Sequence, residues 1–142
     1  MSKFKFNPPI EHLTKPKEYQ MGLIELSAML QPLGLKAYLW DYNYWFISLI
    51  DWGKVLKDVC FGMPKYTVDK FDCENFAMLV SARVSERYHI NTCGIAIGQS
   101  PMGEHGYNLL VTETNLIYFE PQTGEFISVD DGSYKAHTVL FG

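Results

Sequence analysis

No apolar stretch of this sequence approaches the ~20 residues needed to span a membrane. The longest candidate, Tyr44 to Ile50, runs straight into Asp51. The opening MSKFKFNPPIEH has neither an apolar h-region nor a small-residue cleavage site, so no secretory signal is legible and a cytoplasmic protein is expected. Basic residues are few and scattered. Twelve Lys+Arg against 16 Asp+Glu give a net charge of −4, and no basic stripe marks a nucleic-acid partner. Cysteine is sparse: Cys60, Cys73 and Cys93 form an odd set without C-x-x-C spacing. That excludes a disulfide framework and a paired-ligand zinc site. There is no internal repeat, low-complexity tract or Ser/Gly/Pro-rich linker, so one domain over 1–142 is expected. What is present is apolar mass. At 47% hydrophobic, 15% aromatic and 20% charged residues, the chain can bury a real core, and disordered, collagenous and coiled-coil classes drop out.

The pattern changes along the chain. Residues 1–16 read as an extended lead-in broken by Pro8-Pro9 and Pro16. Lys17 to Leu30 reads as a first helix, with Leu23, Leu26 and Leu30 apolar, stopped by Pro32 and Gly34. Lys36 to Trp40 is a short extended piece. Tyr44 to Val59 reads as one or two helices, because Leu49, Trp52, Val55, Leu56 and Val59 recur at three- and four-residue steps. After a loop over Phe61 to Lys70, Phe71-Asp72-Cys73-Glu74-Asn75 opens a helix running to about Tyr88. Five β-like runs follow: Cys93–Ile97, Gly106–Thr112, Asn115–Phe119, Glu125–Val129 and His137–Phe141. Helices first and strands afterwards imply an α+β fold.

Three residues invite a chemical reading. Cys73 stands in the first helical turn behind Asp72, a good N-cap. Free N–H groups and the helix dipole favour an anion there, hence the nucleophilic thiolate. Alone, it reads equally as a small buried residue. His105, in GEHGYN, stands at a strand entry and supplies an imidazole of suitable basicity; the bland alternative is a surface turn. His137 is the reserve histidine. Glu120, in YFEPQ, ends the next strand, where a carboxylate would orient the imidazole. A hairpin centred between Glu113 and Thr114 sets His105 opposite Gln122, two residues from Glu120, so Gln122 is an alternative orienting group. The aromatic segment Trp40–Trp52 reads either as a cleft wall or as core packing.

The segments FDCENFA (71–77), GEHGYN (103–108) and YFEPQTGE (118–125) resemble papain-like and transglutaminase-like cysteine hydrolases. Most similar are the papain-like C-terminal domain of mushroom agglutinin proteases and related small bacterial and phage proteins. The resemblance implies Cys73 as nucleophile, His105 as base and Glu120 as its orienting acid. Asn108 becomes a structural residue or a hydrogen-bond partner behind the histidine. Where papain-like enzymes carry an oxyanion-donating Gln, this chain has Thr67; the transglutaminase-like alternative is an upstream aromatic donor, Trp40 or Tyr42. Calcium dependence in the agglutinin proteases points to Asp69, Asp72 and Glu74 as oxygen ligands.

The expectation is therefore a papain/transglutaminase-like α+β fold. N-terminal helices would precede a nucleophile helix packed on a C-terminal antiparallel sheet. A Cys-His-Glu triad would cleave a peptide or peptidoglycan-type amide through a thioester. The rival expectation is a non-catalytic module that uses its aromatic face to form a homodimer or bind a partner. A redox-sensing thiol is a third reading, which lacks a resolving cysteine nearby.

Overall fold

A computed structural model describes residues 15–142; the expected lead-in falls outside them except for its last two residues. The first element is a strand, β1 (Tyr19–Gly22), which leads directly into α1 (Leu23–Leu30). The Glu25 carboxylate accepts the Gly22 N–H at 3.2 Å and so caps the helix. A 3₁₀ turn over Gln31–Leu33 ends at Gly34, which takes φ 64°. Next come β2 (Lys36–Leu39), β3 (Asn43–Phe46), α2 (Leu49–Val59) and α3 (Cys73–Tyr88). The back half holds β4 (Cys93–Ser100), β5 (Gly103–Val111), β6 (Leu116–Glu120), β7 (Glu125–Ser128) and β8 (Lys135–Phe141).

Two sequence expectations fail in the front half for one reason. Residues 17–22 do not continue α1, and 44–46 do not join α2. They pair with each other as the antiparallel ribbon β1–β3, with Tyr19 opposite Phe46 and their rings stacked at 5.6 Å. Aromatic residues prefer such a pleated, half-buried surface. The helix α2 begins only where Ser48 Oγ accepts the Asp51 N–H at 3.2 Å.

The main sheet has the order β2-β8-β4-β5-β6-β7. It is mixed, not antiparallel as expected, because β2 runs parallel to β8. One face carries the cluster of Leu26, Leu30, Tyr44, Tyr107, Leu109, Tyr118, Val139 and Phe141 against α1. The other carries Trp52, Leu56, Val80, Val84, Leu110 and Phe119 beneath α2 and α3. Trp52 Nε1 donates to the Val111 carbonyl at 2.8 Å, and the ring is fully buried, so of the two readings of the aromatic segment core packing holds at this residue. Asn108, fully buried, ties α3 down by donating to the carbonyls of Ala77 and Gly94 at 3.0 and 3.1 Å.

Candidate functional site

Backbone groups fix the start of α3. The Asp72 N–H donates to Asn75 Oδ1 at 3.1 Å, and Asp72 Oδ2 receives the Asp69 N–H at 2.9 Å. This second bond accompanies the left-handed conformation of Asp69, φ 64°. The helix start then lies directly on β5. A Cβ at Gly106 would meet Glu74 Cα at 2.8 Å, so only glycine permits this approach.

Cys73, Glu74, Ile97, Glu104, His105 and Gly106 line one cavity of about 300 Å³. The thiol of Cys73 donates to Glu74 Oε2 at 3.2 Å. His105 Nε2 lies 2.7 Å from Glu120 Oε1. Glu120, 1% exposed, also accepts from the Tyr134 hydroxyl at 3.0 Å and from the Gln122 N–H at 3.2 Å. The His105 ring lies 6.0 Å from that of Tyr107. Thus β5 and β6 hold a rigid histidine–carboxylate pair beside a thiol whose own hydrogen-bond partner is a different carboxylate.

That partner matters for charge. Burial pushes the Cys73 thiol up, and the Glu74 carboxylate adds to the rise, outweighing the Gly106 N–H that pulls it down. Desolvation and the adjacent carboxylate thus work against the thiolate that a helix start would favour. The other two cysteines are buried, and burial pushes Cys60 up to about 12.

The remaining expected residues disperse. Asn108 is the structural tie already described. Gln122 contributes its backbone N–H, not its side chain, to Glu120. Trp40 is exposed and lines a separate groove, while the Tyr42 carbonyl receives the Leu23 N–H at 2.9 Å. Neither aromatic residue lines the Cys73 cavity. His137 pairs with Glu104 at 2.9 Å on the exposed rim. Asp69, Asp72 and Glu74 do not assemble a cation site: among the described residues no group of three His, Cys, Asp or Glu converges as metal ligands. Sequence reasoning missed Ile97, Glu104, Gly106 and Tyr134. Only the Gly106 position, beside His105 in GEHG, carried any local signal.

A family model described as the ricin-type beta-trefoil lectin C-terminal domain matches residues 33–141. The chain belongs to this lectin C-terminal domain family. No curated protein matches it. Among solved structures, the lectin C-terminal domain superposes on one titled as the PSL1a–E64 complex with a TM-score of 0.74 at 24% identity, covering 86% of this chain and 51% of the other. It also superposes on a Polyporus squamosus lectin bound to the human-type influenza-binding epitope Neu5Acα2-6Galβ1-4GlcNAc. There the TM-score is 0.71 at 25% identity, covering 86% and 49%. The chain thus spans about half the length of these neighbours.

These matches overturn the hydrolase reading. The family is a lectin one, and the fold is that of lectin chains, not the papain/transglutaminase-like α+β class. With the hydrolase reading go the cysteine-protease triad mechanism and the peptide or peptidoglycan-type amide substrate. No helix among the described residues is long and apolar enough to cross a membrane.

Proposed function

We propose that this lectin C-terminal domain is a binding module of a glycan-binding protein, with the Cys73 cavity as its own ligand site. The cavity geometry carries the reading. It combines a half-buried thiol with a histidine held by Glu120, which Tyr134 in turn holds. Cys73 contacts the ligand, the second ring nitrogen of His105 offers it a hydrogen bond, and Glu120 orients His105. We place the protein in the cytoplasm, where three free thiols persist. The whole chain forms one domain in this reading.

The neighbours' titles supply the probes. E64 is tested by intact mass and thermal shift. A one-to-one complex is expected for the chain and its loss in Cys73→Ala; no complex with the unaltered chain refutes the cavity as a ligand site. The trisaccharide Neu5Acα2-6Galβ1-4GlcNAc is titrated calorimetrically against the full-length protein. Heat of binding is expected, and its absence alongside a silent glycan panel refutes the glycan partner.

A further inference from the structure

The Cys73 cavity has a separate groove next to it along α3. Its wall on α3 is Glu74, and one turn further Met78 lines a second groove of about 220 Å³, whose far end is Trp40. Residues four apart share a helix face. Ile97 belongs to the cavity and Ile95 to the groove, two residues apart on β4 and therefore on one face of the sheet. The register extends that face: Ile95 stands beside Leu140, and Leu140 beside Tyr38. Apolar side chains stay uncovered along this path. Ile97 is 37% exposed, Met78 43% and Trp40 73%. The side chains of the groove are all uncharged, whereas the cavity mouth carries Glu74 and Glu104. From Glu74 to Ser85 the helix rises ~16 Å at ~1.5 Å per residue.

We infer that the ligand of the Cys73 cavity carries a neutral, apolar arm that lies along α3 toward Trp40, the groove and the cavity forming one site. The inference rests on the reading of the cavity as a ligand site. It deepens that reading by naming the ligand class: a thiol-contacting head joined to an uncharged, extended tail. Exposed apolar surface in contiguous patches marks binding sites more often than isolated apolar residues do. The uncharged groove disfavours a charged tail, which would lose its hydration without gaining a partner.

The test compares two alkylating reagents on the intact chain, iodoacetamide and N-hexyl iodoacetamide, with rates at Cys73 read by peptide mass spectrometry. Each rate is divided by that for free glutathione, which removes intrinsic reactivity. Burial of ~55 Å² of the hexyl tail at ~25 cal/mol per Å² corresponds to a roughly tenfold advantage for the tailed reagent. Met78→Gln and Trp40→Ser, both at exposed positions, should each cut that ratio to about threefold or less. A ratio near one in the unaltered chain, or a ratio that neither substitution lowers, overturns the inference while leaving the cavity reading intact. Failure of iodoacetamide itself to label Cys73 in the folded chain removes the cavity reading, and this inference with it.

Discussion

Replacing Glu120 with Ala tests the centre of the site. The carboxylate is 1% exposed and serves three donors: His105 Nε2 at 2.7 Å, the Tyr134 hydroxyl at 3.0 Å and the Gln122 N–H at 3.2 Å. The substitution leaves a 94%-buried imidazole and a buried phenol facing a void. Removing one partner of a buried, hydrogen-bonded pair costs ~3–5 kcal/mol. For a domain of this size that corresponds to a fall in Tm of about 10–20 °C. Glu120→Gln keeps the shape and an acceptor oxygen but loses the charge, so it should cost roughly 1–2 kcal/mol. Differential scanning calorimetry, with urea melts to confirm an unchanged m-value, reads both. A Glu120→Ala Tm within about 2 °C of the parent would refute the claim that this carboxylate holds the site rigid.

Three further outcomes are expected. Glu74→Gln removes the carboxylate that helps push the Cys73 thiol up, so the pH profile of iodoacetamide labelling should move to lower pH, with a rate gain of about two- to fivefold near pH 8; an unmoved profile refutes the role of Glu74. Burial pushes the Cys60 thiol up to about 12 in the folded state, above the ordinary thiol range. Its contribution to stability is therefore full below pH ~9 and lost as pH rises toward ~12. Cys60→Ala should flatten the decline of Tm across that window, and an equally steep decline counts against it. Gly106→Ala drives a Cβ into the Glu74 backbone at 2.8–3.0 Å, which should cost about 1–3 kcal/mol and weaken E64 binding together with stability; a variant with parental Tm contradicts the close approach.

The back half of the fold was legible because its signals are local. The hairpin register set Asn108 opposite Phe119 and Val111 opposite Leu116, as the turn at Glu113-Thr114 requires. The helix over Cys73–Tyr88 follows its apolar spacing. The front half was legible in part: α1, β2 and α2 lie inside the expected segments, but Tyr19–Gly22 becomes a strand only through Asn43–Phe46, a partner far along the chain. The parallel alignment of β2 with β8 leaves no local trace either. At the site, the nearness of His105 and Glu120 followed from adjacent strands. The partner of the Cys73 thiol did not, since it depends on which way one Glu74 rotamer points. Motif likeness at Cys73, His105 and Glu120 suggested a hydrolase, while the family match over 33–141 gives a lectin domain.

The position of β8 has a consequence for how the chain reaches its fold. It is the last of the described strands along the sequence, yet it lies between β2 and β4. Lys36 meets Thr138 roughly a hundred positions later, a long loop to close before any contact repays it. Until Lys135–Phe141 leaves the ribosome, β2 has no partner, and the edge of β4 that will receive β8 is bare. A nascent chain stalled before residue 135 should hold the β4–β7 meander but expose that edge to strand-pairing with other chains. Assembly therefore ends with the insertion of one strand into a waiting slot, and that closing step links the first residues of the sheet to the last.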